Sequence, residues 1–182
     1  MADRLTETSK FLSYVLRHKP QAIGLALDNE GWAGIDALIA AAAANGTVLD
    51  RDLIRAVVDT SDKKRFAISP DGARIRAVQG HSTAEVAIAY EPVEPPEQLF
   101  HGTASRFLES IRAEGLVAGS RHLVHLSPDV ETATAVGRRH GRPVVLTVAA
   151  GAMHRQGFVF HRAENGVWLT KSVPPAFLDE PD

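Results

Sequence analysis

The chain has 182 residues, 45% of them apolar, no cysteine and a formal charge of −2. That length and apolar share suit one or two compact domains, and the missing cysteines exclude disulfides, thiolate metal sites and cysteine nucleophiles. Residues 1–89 hold 11 Lys/Arg against 11 Asp/Glu, and residues 97–182 hold 9 against 9. Neither half is therefore a general phosphate sponge, and any nucleic acid must be held by a few placed arginines. No apolar run approaches the roughly 20 residues that span a bilayer. MADRLTETSK lacks the apolar core of a signal peptide, so a cytoplasmic location is expected.

Thr6 or Thr8 is expected to cap a first helix carrying Phe11, Leu12, Val15 and Leu16 at helical spacing, which Pro20 ends. A second helix reads from about Ile35 through the alanines to Asn45-Gly46. Asp50 caps a third, Asp52 to Thr60, with Leu53, Ile54, Val57 and Val58 apolar. KKRFAISPDGARIRAVQ then reads as a hairpin about the turn Ser69-Pro70-Asp71-Gly72. Pairing Ser69 with Gly72 sets Phe66 opposite Ile75 and Arg65 opposite Arg76. Three helices followed by a hairpin is the order of a winged helix, although fold alone does not give function. YEPVEPPEQ (residues 90–98) packs three prolines and three glutamates into nine positions and reads as an extended linker. The chain then divides into 1–90, a linker at 91–97, and 98–182. In the second part Gln98-Leu99-Phe100 is a short strand running into His101-Gly102-Thr103. SRFLESIRAEGL is an amphipathic helix stopped by Gly115. LVHLS and PVVLTVAA are β-rich, with a helix in ETATAVGRRHG between them. The fold class is α+β in two lobes.

The side chains with chemistry are mostly Arg and His. Arg17-His18 before Pro20 suits the negative end of a helix dipole. It equally suits a phosphate, which arginine grips with a forked contact. In VQGHS, Gly80 permits tight backbone while Gln79, His81 and Ser82 offer polar contacts. At His101-Gly102-Thr103, glycine lets a ligand approach the backbone and the flanking side chains offer hydrogen bonds. Read as a strand, SRHLVHLS points Arg121 and His125 to one face and His122 to the other. Its His-x-x-His spacing is therefore poor for a shared metal. Arg138, Arg139 and Arg142 read as a solvated helix end. No phosphate loop, nucleophile elbow or carboxylate pair appears. Such a set is poor at carboxylate-based hydrolysis and good at stabilising phosphate charge.

Seven stretches in order, SKFLSYVLRHKP, GLALDNEGWAGIDALI, TSDKKRFAI, IRAVQGHS, LFHGT, RHLVHLSPD and NGVWLT, closely resemble the NAD-dependent RNA 2'-phosphotransferases, the KptA/Tpt1 family. They spread over nearly the whole chain. The resemblance implies an N-terminal winged-helix lobe for RNA and phosphate, and a C-terminal NAD-binding lobe with the ADP-ribosyltransferase fold. It implies transfer of an internal RNA 2'-phosphate to NAD without a metal. The products are RNA 2'-OH, nicotinamide and ADP-ribose 1'',2''-cyclic phosphate. It implies Arg17, His18, Arg65 and Arg121 as catalytic residues. His101, Gly102, Thr103, His125 and Ser127 would contact NAD, and Lys19, Arg76, Gln79, His81 and Ser82 the RNA. A tRNA-like splice junction is the implied RNA, and a monomer is expected. One position departs from the family pattern: many members read Arg-x-His-Val-His-Leu where this chain has Leu123 in place of the first histidine. Two other readings compete. One is an ADP-ribosyltransferase that stops after attaching ADP-ribose to a phosphate end or to protein. The other is a non-enzymatic winged-helix binder, which the balanced charge counts against.

Overall fold

The computed structural model describes residues 2–61, 63–83, 86 and 88–181, with only the backbone at residue 2. It forms two compact units, Met1–Ala89 and Tyr90–Asp182, each with its own apolar core. Among the described residues no helix is long and apolar enough to cross a membrane.

The first unit opens with α1 (Ala2–Arg17). Neither Thr6 nor Thr8 caps it. The helix starts a turn earlier than expected because Leu5 packs on the core and Thr8 is buried, so the inward-facing stripe extends back to residue 5. Leu12, Val15 and Leu16 are fully buried. At the other end, Tyr14 carbonyl accepts from both His18 N (3.1 Å) and Lys19 N (3.0 Å). Pro20, lacking an N–H, turns the chain into a 3-10 segment, Pro20–Ile23.

Next come β1 (Ala33–Gly34), α2 (Ile35–Ala44) and α3 (Arg51–Asp59). Asp50 caps α3, its side chain accepting from Leu53 N at 2.7 Å. β2 (Phe66–Ile68) and β3 (Arg74–Ala77) complete a sheet of order β1-β3-β2. Leu38 of α2 and Ile54 and Val57 of α3 close over Phe66, Ile75 and Ala77.

The hairpin register differs from the expected one. Phe66 pairs with Ala77, Ala67 with Arg76 and Ile68 with Ile75. Ser69 N donates to Arg74 carbonyl (2.9 Å), so the closing pair is Ser69/Arg74 rather than Ser69/Gly72. The Gly72 N bond to Ser69 carbonyl (2.8 Å) sits inside a four-residue loop. Asp71 braces that loop, accepting from Ser69 hydroxyl and from Ala73 N. Those bonds, the hydroxyl first, hold its carboxyl below the usual range. The shift is two residues, so Phe66, Ile68 and Ile75 still share a face, but Arg65 and Arg76 do not oppose one another.

The second unit contains β4 (Leu99–Ala104), α4 (Leu108–Glu114), β5 (Leu116–Val117), β6 (Val124–Leu126), α5 (Val130–Gly137), β7 (Pro143–Val148), α6 (Ala150–Arg155), β8 (Phe160–Arg162), β9 (Trp168–Thr170), β10 (Ser172–Val173) and β11 (Leu178–Asp179). β7 ends at Val148, and α6 begins at Ala150, the last residue of the run expected to be β-rich. Two three-stranded sheets, β11-β7-β4 and β6-β9-β8, carry the unit, and β5 and β10 form a small pair. Phe100 and Ser127 form an isolated antiparallel bridge that joins β4 to β6. Leu99, Leu126, Leu146, Val148, Met153 and Phe160 form the core.

Residues 91–97, read as a linker, are tied to the second unit. Val93 N donates to Phe160 carbonyl (2.8 Å), and Pro92 bridges His161. This covers the edge strand β8, whose backbone groups would otherwise lack partners. Glu97 is anchored as well: its carbonyl accepts from Gly151 N (3.1 Å) and its carboxylate takes both arms of Arg155 (2.7 and 3.1 Å).

Helix α5 lies on β4 and β7 at a distance only glycines allow. A Cβ on Gly102 would stand 1.7 Å from Ala133 carbonyl oxygen, and one on Gly137 would stand 2.7 Å from Thr103 carbonyl oxygen. Gly102→Ala is therefore expected to lower the urea midpoint by the equivalent of about 3 kcal/mol; an unchanged midpoint would show that α5 rides off the strand without cost.

Candidate active site

In the first unit, the chain leaving β3 runs back along the end of α1. Val78 N donates to Arg65 carbonyl (3.1 Å). Gly80 follows at φ +87, a backbone conformation that favours glycine, and its Cβ position lies at ordinary contact distance, 3.7 Å, from Arg17 Cδ. Ser82 then makes two bonds to α1. Its N–H donates to Arg17 carbonyl (2.8 Å), and its hydroxyl meets His18 Nδ1 (2.9 Å). The first satisfies a carbonyl of the last helical turn, and the second fixes the plane of the His18 ring. Arg17 lies half-buried, its guanidinium 6.0 Å from the Phe66 ring centroid. His18 and Arg65 line one open groove of about 710 Å³.

Of the side chains expected to meet RNA, Ser82 is the one brought onto His18. Lys19 is exposed. Arg76 lies over the Trp32 ring at 4.6 Å, with Arg74 over the same ring at 5.4 Å. This follows from the register, because Ala33 pairs with Ile75 and so Trp32 shares a face with Arg76 and Arg74. Gln79 is half-buried, and its Oε1 has no partner among the described residues. His81 is 4% exposed and packs against Gly31 and Val86, so its surroundings are those of a core side chain.

In the second unit, β4 and β6 part immediately after their Phe100/Ser127 bridge. Ser127 uses both backbone groups on Phe100 (2.7 and 2.9 Å), so the backbone groups of His125, two residues back, also face β4. The next ladder bond would come from Gly102 N. Instead, His101 Nδ1 donates to His125 carbonyl at 3.0 Å. A side chain thus takes the place of a backbone donor where the strands separate. Arg121 Nη1 donates to His125 Nδ1 at 2.7 Å, which puts the His125 proton on Nε2. Arg121 and His125 meet as expected, but not as residues of one strand: residues 121–123 form a bend, held by Arg121 N on Ala118 carbonyl (3.1 Å). His122 is exposed, and Leu123 is half-buried.

Gly102 faces α5, so its glycine serves close packing of helix on strand. Thr103 and Ser127 are 5% and 8% exposed, enclosed by the same packing. His101, Arg121 and His125 are the polar group at the opening. Burial first, and the neighbouring His140 second, push the His101 imidazole below its ordinary pKa, outweighing its bond to the His125 carbonyl. Desolvation, then the charge of Arg139, lowers Arg121 from the usual guanidinium value although its surface remains exposed. Arg139 and His140 thus belong to this neighbourhood. Spacing gave no signal for them, because the turn after α5 folds them back. Among the described residues, no group of three metal-ligating His, Asp or Glu side chains comes together.

The native His101 pKa lies below the usual 6.5. The unfolded chain therefore takes the proton first. Its contribution to stability is complete above that value and declines as pH falls from there toward the depressed native value. His101→Asn, whose Nδ2–H replaces the Nδ1 donor, is expected to flatten that decline in urea midpoints taken from about pH 8 to about pH 5. Equal slopes in the two proteins would remove His101 as its source.

A family model described as RNA 2'-phosphotransferase, Tpt1 / KptA family, matches residues 3–172. A probable RNA 2'-phosphotransferase of Pseudomonas aeruginosa (strain UCBPP-PA14) is 66% identical over 176 residues, 97% of each chain. One from Burkholderia lata is 62% identical over 177 residues, 97% of this chain and 91% of its own. One from Escherichia coli O6:K15:H31 is 61% identical over 175 residues, 96% of this chain and 95% of its own.

Proposed function

The chain belongs to the RNA 2'-phosphotransferase (Tpt1/KptA) family, and from that premise we propose that it transfers an internal RNA 2'-phosphate to NAD. The observation that carries the reading is the tie of Ser82 to α1, which presents Arg17 and His18 together at a helix end beside the groove that Arg65 also lines. We read the first unit as the winged-helix lobe, on its three helices and β1-β3-β2 sheet. We read the second as the ADP-ribosyltransferase-like lobe, on its two sheets joined by one bridge.

A 2'-phosphomonoester carries about −1.5 to −2 charges near neutral pH, so it is already a nucleophile. In the first step a phosphate oxygen bonds to the NAD-ribose C1'', and nicotinamide leaves with the electron pair of the broken C–N bond. That step needs positioning more than a base. Neutral His101 suits a ribose hydroxyl, with Nδ1–H engaged and Nε2 as acceptor. In the second step the ribose 2''-OH attacks phosphorus and the RNA 2'-oxygen leaves. The proton lost by the 2''-OH is regained by the RNA 2'-oxygen, and His18 is assigned that transfer. Charge grows on the phosphoryl oxygens, so Arg17, Arg65 and Arg121 are assigned to them. A family member that stopped after the first step would not need those arginines.

The test is incubation with NAD and an RNA oligonucleotide bearing one internal 2'-phosphate. Plain 2'-OH RNA and ADP-ribose 1'',2''-cyclic phosphate are expected. Accumulated ADP-ribosylated RNA would favour the truncated reaction, and no nicotinamide release would end both. Arg65→Ala and Arg121→Ala should slow product formation about 100-fold or more. Arg17→Lys should cost about tenfold or more in kcat/KM, because an ammonium cannot fork. Unchanged kinetics would leave Arg17 a helix cap only.

A further inference from the structure

The groove that holds His18 and Arg65 does not end at them. It continues along α1 past Tyr14, Ser13 and Lys10, with Lys63 on its rim. Lys10 to His18, both in its lining, lie eight positions apart, about 12 Å at the helical rise. That is more than one phosphate needs and about the reach of the adjoining nucleotide.

The groove's chemistry is not that of the unit as a whole. The unit is electrically balanced, yet no carboxylate is among the described lining residues of the groove. Four of the unit's acids are employed elsewhere. Asp36 pairs with Arg51 and Asp28 with Arg74; Asp50 caps α3 and Asp71 braces the hairpin loop. The charged side chains that line the groove, Lys10, Lys63 and Arg65, are all cationic. Within it stands an aromatic ring the core does not claim: Tyr14 is 44% exposed while Val15 and Leu16 beside it are fully buried. Cations tracking a backbone, with an aromatic face between them, make up a site for single-stranded nucleic acid.

We propose that this groove is the subsite for the RNA strand next to the 2'-phosphorylated nucleotide. The neighbouring base stacks on Tyr14, and the backbone phosphate beyond it is held by Lys10, with the Ser13 hydroxyl in reach of the same backbone. Stacking accepts any base and phosphates carry no sequence, so the subsite reads strand rather than sequence. The inference rests on the transferase reading above.

The experiment compares two substrates: a 2'-phosphorylated dinucleotide, and the same nucleotide within an oligonucleotide extended on both sides. The wild type is expected to show the higher kcat/KM on the longer one. Tyr14→Leu and Lys10→Ala should each lower the long-over-short ratio about tenfold, the smaller end of what one stacked base contributes. Tyr14→Phe should keep the ratio. Lys10→Ala should also reduce the salt slope by about 0.7 for the one phosphate lost. Arg55→Ala, exposed on α3 outside the groove, serves as control and changes nothing. Thermal melts exclude unfolding as a cause, and exposed Lys10 remains usable should Tyr14→Leu fail to fold.

A wild type indifferent to length would overturn the subsite and leave the transferase reading standing. So would variants with an unchanged ratio, or variants that lose both substrates equally. A wild type that converts neither substrate would overturn the transferase reading itself.

Discussion

Two bonds from Ser82 to the end of α1 organise the first unit's chemistry. Helix C-termini leave carbonyls without intrahelical donors, and proline at residue 20 ensures that this one stays open. Ser82 fills the need at Arg17 with its N–H and holds the next side chain with its hydroxyl. Gly80, at φ +87, supplies the left-handed turn that brings the strand exit back to the helix. The cationic end of the helix is thus both electrostatically favoured, because the dipole welcomes it, and geometrically fixed. The residue that caps the helix end thus also orients the side chain that follows it.

Much of this was legible in the residues. The helical spacing of Leu12, Val15 and Leu16, the stop at Pro20 and the cap at Asp50 all work as their chemistry suggests. What was not legible has physical reasons. SPDG fits a tight closing turn and the first turn of a longer loop equally well, and the second won because Asp71 and Ser69 brace it. The slip kept every face and changed every partner, so Arg76 went to Trp32 instead of Arg65. The start of α1 was missed because Leu5 lies in a polar run and declares itself only by packing.

The second unit was harder to read for a different reason. Gly102 in a His-Gly-Thr triplet invites a ligand explanation, and the structure answers with the backbone of α5. Close helix–strand approach and close ligand approach demand the same missing side chain, and one sequence cannot separate them. Arg139 reads as part of the solvated end of a helix, yet its charge is felt at Arg121, and His140, which spacing did not single out, is felt at His101. α6 hid behind the alanines that end a β-rich run. Its placement depends on Glu97, far upstream, accepting from Gly151 N.

The parting of β4 from β6 differs from an ordinary frayed strand pair. A frayed pair can rejoin, because each open donor still faces its acceptor. Here the His125 carbonyl already accepts from the His101 ring, so a ladder bond from the Gly102 N–H would have to share that oxygen or displace the imidazole. The bond that follows the Phe100/Ser127 bridge is therefore made by a side chain, and rotation of one imidazole would undo it.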